Sequence, residues 1–495
     1  MKPLDLVVVG GGIVGLGVAR LAARNHISVA VLERGDLASG TSSASSHMLH
    51  GGLRYLEYGQ FGLVREALAE RSAVAKMAPA LTRPTRFLVP VYRGGRFGPW
   101  KLRAGLKLYD WLSGRRGFAP YGWAGARAAR ALEPALQPEG LRGAGLYSDV
   151  VMNDAALAVA VARDAAAHGA QVHTRIEVIG AKPLDGGAIE LSARDLGSGT
   201  VLEFPAQVVV NASGPWADET RRRLLSGLRP GDPAVAPLLR PSRGVHLVYP
   251  TLTQRHGLLA TARSDGRVFF VIPFFGHSLV GTTEVEVASP PPADALRPSL
   301  EELRYLQREL ALALPPVAEF RPIAALSGVR PLLRAEGAVG HAPREHKVIE
   351  EHGIFTIAGG KYTTFRRMAE DVLAHVARRL RRREPIRDSE EPLPAPITAG
   401  AGLELVARHA VQHEFARSLD DVMRRRTLQW LEPDRGRIVA RFMAANMGKE
   451  LGWSTARTSE EIEYYDTAVR EEESLLARVW DGHQEPSHRA RRGAG

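Results

Sequence analysis

The sequence predicts an α/β chain with three parts: a Rossmann-like dinucleotide-binding domain, a discontinuous substrate domain on an antiparallel sheet, and a helical C-terminal domain. Three observations predict it. The chain opens on a short apolar run, a glycine-rich turn and a helix; a second strand–glycine–helix unit recurs near residue 354; and short apolar strands with turn residues between them fill residues 242–287.

The opening run is Leu6-Val7-Val8-Val9, which suits a strand buried on both faces of a parallel sheet. Gly10, Gly12 and Gly15 then spell G-x-G-x-x-G: the first for a tight turn, the second for approach of a pyrophosphate, the third for close helix–strand packing. The helix that follows, through Leu16, Val18 and Leu21, aims unpaired N–H groups at the phosphates. A second apolar strand, Ser28 to Leu32, ends at Glu33, whose carboxylate accepts both hydroxyls of an adenosine ribose and repels a 2′-phosphate. NADP is therefore disfavoured, while NAD and FAD both remain open at this point.

A chain of 495 residues calls for two or three domains. With no cysteine, disulfides, thiolate metal sites and cysteine nucleophiles are excluded. No His/Asp/Glu cluster has metal-ligand spacing, so no metal is expected. The net charge of +11 fits an Arg-rich composition, an anionic substrate or an anionic membrane surface. Nucleic acid is not expected, because no base-reading helix or aromatic-studded sheet motif accompanies the charge. No stretch reaches the roughly 20 apolar residues that span a bilayer, and no cleavable leader precedes the first strand; a cytoplasmic protein, peripheral on the inner face of the cell membrane, is expected.

After Glu33 comes a serine-rich stretch containing Thr41, Ser42, Ser43 and Ser46, placed to hold the cofactor pyrophosphate, and then His50-Gly51-Gly52-Leu53-Arg54-Tyr55-Leu56-Glu57. This run closely resembles the membrane-associated, FAD-dependent glycerol-3-phosphate dehydrogenases, within the wider fold group of D-amino-acid oxidase and glycine oxidase. Further segments repeat the resemblance in order: Asn211-Ala212-Ser213-Gly214-Pro215-Trp216, Ser242-Arg243-Gly244-Val245-His246, Gly281-Thr282-Thr283-Glu284, Ser327-Gly328-Val329-Arg330-Pro331 and Gly359-Gly360-Lys361-Tyr362-Thr363-Thr364. They span about residues 1–375. The resemblance implies that Val178, Ala212, Gly214 and Trp216 contact FAD alongside Gly359, Gly360, Lys361 and Thr363. Departures from the family pattern are His47 where Lys or Arg is common, Glu284 for Asp, Val245 for a small polar residue, Tyr362 for Leu, and a short C-terminal region.

The residues themselves also favour FAD. Ile354 to Ala358 reads as a strand, Gly359-Gly360 as a turn, and Thr363 to Val376 as a helix whose N-terminus faces the flavin N1–C2=O edge, where negative charge develops on reduction. A nicotinamide enzyme has no use for this second unit. Arg54, Arg330 and Arg344 sit in segments that resemble the family's phosphate- and substrate-binding positions. The resemblance makes them, with Lys361, the candidate phosphate ligands, a role guanidinium suits because it presents a fork of donors; Tyr55 is a candidate wall of the same site. His50 and His246 are the candidate proton acceptors for a secondary alcohol.

What the resemblance implies is oxidation of sn-glycerol 3-phosphate to dihydroxyacetone phosphate, hydride passing from C2 to FAD N5 and electrons onward to a membrane quinone. An oxidase using oxygen, an amine or amino-acid oxidase of the same fold group, and a flavin-bound scaffold without turnover are the alternatives. Several cations argue against the last two: an amino-acid oxidase wants one carboxylate-binding Arg, and a scaffold needs no phosphate cradle.

The expected domains are 1–75, 145–235 and 325–385 for FAD; 76–144 and 236–324 for substrate; a Pro-rich linker 385–400; a helical domain 401–486; and a disordered basic tail 487–495. Strands at Val245–Tyr249, Gly266–Pro273 and Ser278–Val287 make the substrate sheet, and Ser299-Leu300-Glu301-Glu302 and Ser418-Leu419-Asp420-Asp421 start helices. The helical domain is expected to cover the others or to mediate association, as in a homodimer. Pro99 to Leu112 reads as an amphipathic helix with Leu102, Leu106, Tyr109 and Leu112 on one side, either lying on a membrane or packed on the substrate domain.

Overall fold

In the computed structural model the described residues are 2–114, 118–229, 235–253, 255–335, 345–397 and 400–484. Arg344, Arg115, Arg116 and the expected basic tail 487–495 therefore lie outside the described residues.

Among these, an eight-stranded sheet carries the nucleotide-binding unit. Its central order is His346–Glu351, Ile354–Gly359, Val201–Asn211, Leu4–Val9, Val29–Glu33, Gln171–Thr174, and the last five of these strands run parallel. Leu6, Val7 and Val8 are buried because both faces are covered, as an unbroken apolar run requires: helices cover one, and the strands Ile176–Pro183 and Ile189–Asp195 with the helix Ala217–Leu228 cover the other. One face packs on the helices Ile13–Arg24, Asp154–Ala167 and Phe365–Arg379, which meet around Val18, Leu157, Phe365 and Val372. The second glycine unit is thus a neighbour of the first: a Cβ added at Gly17 would lie 2.7 Å from the Phe365 ring, so the two helices touch through a bare backbone.

A second, ten-stranded sheet roofs this unit. The hairpin strands Val268–Phe274 and His277–Gly281 and the strand Ser242–Pro250 pair antiparallel, as the alternation predicts. The second hairpin strand is interrupted at Thr282–Glu284, and Val285–Glu286 then resumes the pairing, opposite Arg243 and Ser242. Nor is the sheet purely antiparallel, because Gly257–Thr261 pairs parallel with Thr82–Tyr92. Two strands expected in the FAD domain belong here: Leu141–Met152 pairs with Thr82–Tyr92, and Ala324–Arg330 with Ser242–Pro250. Both mix apolar residues with glycine and polar ones, and such a pattern does not say which of two sheets receives it.

Ser299 and Ser418 both cap helices, accepting from the Glu302 and Asp421 N–H groups. The Pro-rich segment has no regular structure through residue 397, yet it is pinned: Leu393 donates its N–H to Met77 O and Arg387 its N–H to Asn25 Oδ1. Beyond it, Leu403–His413, Arg437–Leu451 and Thr455–Gln484 pack around Met423, Met443 and Tyr465.

The helix Phe61–Met77 carries a buried carboxylate, Glu70, 3.3 Å from Arg366 in the first turn of Phe365–Arg379; Arg366 also bonds Asp388. Burial pushes Glu70 up from 4.5 to about 7 against the pull of Arg366 and Arg367. A carboxyl raised on folding binds its proton more tightly in the folded state. Its contribution is full below pH 4.5 and is lost as pH rises through 7, a loss on the order of 3 kcal/mol. Urea titrations of Glu70→Gln and the parent chain should therefore diverge progressively between pH 5 and 7.5, the parent losing ground; a constant gap would contradict this origin.

Candidate active site

One cavity of about 2430 Å³ runs between the two sheets and the helical domain. Small-molecule sites take roughly 300–1,000 Å³, so there is room for an extended dinucleotide and a substrate together.

At one wall stands the glycine turn. Gly10 has φ +115°, and a Cβ there would lie 2.7 Å from Ala212 O; one at Gly15 would lie 2.1 Å from Gly10 O. Only glycine satisfies both approaches. Neither helix behind the two glycine turns, Ile13–Arg24 or Phe365–Arg379, has an acidic residue in its first turn, so both dipoles present uncancelled positive ends. Ser42 Oγ accepts the Ile13 N–H at 3.0 Å, tying the serine stretch to the first helix. Glu33 takes the Gly11 and Gly35 N–H groups at 2.6 Å each, one on each carboxylate oxygen, which fixes its plane while leaving lone pairs for ribose hydroxyls. Burial raises Glu33 and these two amides oppose the rise. Bare backbone at the turn, a fixed carboxylate and two open helix N-termini fit FAD.

Thr41, Ser43, Ser46, Val178, Ala212, Gly214, Trp216, Gly359, Gly360 and Thr363 all line the same cavity. Several are also braces. Thr41 donates to Val329 O at 2.6 Å, and Trp216 Nε1 donates to Pro291 O at 3.0 Å.

Of the substrate candidates, Tyr55, Arg330 and Lys361 line the cavity too. Arg330 donates to Thr282 Oγ1 at 2.7 Å and to Thr283 O at 3.2 Å. A Cβ at Gly244 would come within 2.3 Å of its Nη2, so the glycine of the neighbouring strand makes room for the guanidinium. Thr283 is itself fixed, donating to Glu302 at 2.8 Å and accepting the Val245 N–H at 3.0 Å. Lys361 Nζ sits 3.9 Å over the Tyr55 ring, a cation–π contact that holds the ammonium at the wall. Arg54 belongs to the 3₁₀ turn Leu53–Tyr58, its side chain lying outside the described atoms.

The two histidines differ in kind. His246 is 1% exposed, and its Nε2 lies 3.0 Å from Ser46 Oγ. Burial, with Arg330 and His47 nearby, drives its imidazole well below the ordinary range, so it stays neutral. His50 is half-buried on the cavity wall, its backbone N–H donating to Thr363 Oγ1 at 3.3 Å. Of the departures, His47 is not in the cavity lining: it is 3.1 Å from the Asp154 carboxylate with its ring 4.4 Å from that of Phe274.

Sequence reading missed the layer behind His50. Gly51 N–H donates to Tyr109 Oη at 2.8 Å, Tyr109 donates to Asp149 at 2.9 Å, and Arg71 holds Asp149 at 2.7 Å. Burial raises Asp149 and Arg71 opposes it. Arg71, Tyr109 and Asp149 come from three separate segments, and none lies in a motif. Tyr147, also on the wall, gave no signal either.

A family model described as FAD dependent oxidoreductase matches residues 5–366, and one described as the C-terminal domain of alpha-glycerophosphate oxidase matches 367–458. The chain is 34% identical to glycerol-3-phosphate dehydrogenase 2 of Mycobacterium bovis over 95% of its own length and 89% of the relative's. It is 36% identical to the human mitochondrial glycerol-3-phosphate dehydrogenase over 74% of its length and 52% of that protein's. Among solved structures, glycerol-3-phosphate dehydrogenase from Bacillus halodurans, complexed with FAD, superposes with a TM-score of 0.72 at 23% identity, covering 97% of this chain and 96% of that one. Glycine oxidase from Geobacillus kaustophilus superposes at 0.59 and 22% identity, covering 80% of this chain and 100% of that one. The chain is a flavoprotein oxidoreductase and belongs to the FAD-dependent glycerol-3-phosphate dehydrogenase family.

Proposed function

We propose that the protein oxidises sn-glycerol 3-phosphate to dihydroxyacetone phosphate and passes the electrons to a membrane quinone. The observation that carries this is the placement of Arg330 and Lys361 in one cavity with His50 and His246. Two cations suit a phosphate dianion, and each charge-assisted bond contributes about 1.5–3 kcal/mol. Bound FAD would supply the hydride acceptor at N5, held through Gly10, Gly12, Glu33, Ser42 and the Gly359-Gly360 turn. His50 takes the C2 hydroxyl proton, because an acceptor must hand its proton on to water and His50 is the half-buried one. Neutral His246 orients the substrate with Ser46. Product formation with an artificial acceptor should be efficient for sn-glycerol 3-phosphate and at least a thousandfold poorer for glycerol; equal rates would sink the phosphate assignment.

Quinone use places the protein on a membrane, and the helix Pro99–Ser113 supports that through its outer side, while its apolar side takes the second of the two expected places, packed on the substrate domain. Leu102, Leu106 and Tyr109 face inward onto the substrate sheet, so the apolar side is not the lipid-facing one. What remains outside is Trp100 and Trp111, 78% and 74% exposed, with Lys107 between them. Eleven residues bring the helix back to nearly the same face, making a Trp–Lys–Trp stripe suited to an anionic interface. Tyr58, Phe61 and Lys101 line the cavity close by. Among the described residues no helix is long and apolar enough to cross a membrane. The chain should float with anionic vesicles on the cytoplasmic-type leaflet composition and dissociate in salt, with Trp100→Ala/Trp111→Ala partitioning at least tenfold less. Recovery of both proteins unbound at low salt would exclude the surface. Stopped-flow reoxidation should be faster with a soluble quinone than with oxygen; the reverse order would make the protein an oxidase.

A further inference from the structure

We propose that Asp36 and Arg175 are positioning residues for the adenosine end of FAD, acting by clasping the C-terminal helical domain onto the ribose-binding loop. The proposal rests on the FAD assignment above and adds a role for the helical domain, whose sequence carries no chemical motif.

The contacts form a closed ring. Gly35 donates its N–H to Glu33, the ribose acceptor, at 2.6 Å. Next along the chain, Asp36 is 1% exposed and receives Arg426 through both terminal nitrogens at 2.6 Å and Arg425 Nε at 2.5 Å. Arg425 continues to Asp421 Oδ1 at 2.9 Å, and Arg175 reaches the same oxygen at 2.7 Å. Arg175 then closes the ring, its backbone N–H donating to Gly35 O at 3.1 Å. The loop that fixes Glu33 is thus gripped at Gly35 and at Asp36 by one network anchored in the helical domain. The same cavity is walled by Glu33, Asp36 and Val178 on one side and by Ser418, Asp421 and Arg425 on the other.

Such a ring holds or releases as a unit. Taking one partner from a buried ion pair leaves an uncompensated charge, so the helical domain cannot part from the loop by small steps. Burial alone would raise the Asp421 carboxyl, but Arg425, Arg175 and Arg426 keep it well below the usual carboxylate range, and the ring stays charged. Linkage then makes the effect reciprocal: whatever docking adds to FAD affinity, FAD adds to docking.

The test uses the full chain with and without FAD. Hydrogen–deuterium exchange should show amides of residues 414–431 exchanging at least tenfold faster once FAD is removed. Flavin fluorescence should report FAD release at least tenfold faster from Arg175→Met, with Arg175→Lys recovering most of the loss. Arg408→Met should release at the parent rate, since its pairs with Glu404 and Glu450 stay inside the helical domain. Equal exchange at 414–431 with and without FAD, or parent-like release from Arg175→Met, would overturn the clasp. If Arg175→Met fails to fold, the exchange comparison on the parent chain decides alone. A chain that takes up no FAD would instead refute the cofactor assignment.

Discussion

Arg330→Met should lose about 10²–10⁴-fold in kcat/KM for sn-glycerol 3-phosphate while keeping its flavin. The magnitude follows from two donors on one phosphate at about 1.5–3 kcal/mol each, and from the way Thr282, Thr283 and the bare Gly244 aim the fork. The loss should appear mainly in KM, because the phosphate is distant from the bond that breaks and is bound alike in ground and transition states. Arg330→Lys should recover only part, since an ammonium carries the charge without the fork. Steady-state kinetics on flavin-loaded protein checks this. A KM within threefold of the parent would remove Arg330 from the phosphate site and leave Lys361 to carry it.

His50→Asn should show the complementary pattern: kcat falling by roughly 10²–10⁴ with KM little changed, the range that a positioned proton acceptor supplies. His246→Asn should differ. His246 is sealed against Ser46 and stays neutral, so its loss should disturb KM and stability more than the proton step. Its imidazole, depressed on folding, contributes stability that is complete above the ordinary pKa and is lost as pH falls below it. Single-turnover reduction of the flavin separates the two histidines. If His246→Asn abolishes the step and His50→Asn does not, their roles are exchanged.

The nucleotide unit was legible because its signals are local. Gly10 is crowded by Ala212 from a distant strand, but the turn is set by chain neighbours: Gly15 is demanded by Gly10 O within the same strand–turn–helix, and Glu33 lies one strand away. The same holds for Gly359-Gly360 and for the Ser299 and Ser418 caps. Where the sequence misled, long-range packing decided. Periodicity identified the apolar side of Pro99–Ser113 but not what covers it, and the substrate sheet took that side, leaving Trp100 and Trp111 outside. Leu141–Met152 carries no motif, and only its pairing with Thr82–Tyr92 shows which sheet it joins. The Arg71–Asp149–Tyr109 layer and the Asp36–Arg426 pair join residues 40 to 390 positions apart. In so Arg-rich a chain no single Arg announces such a partner.

The decisive measurement is anaerobic addition of sn-glycerol 3-phosphate to the flavin-loaded chain. Rapid bleaching of the oxidised flavin absorbance is expected, with one dihydroxyacetone phosphate formed per flavin reduced. A flavin that stays yellow with this substrate, yet bleaches with an amine or amino acid, would contradict the substrate assignment while leaving the fold and the FAD site intact.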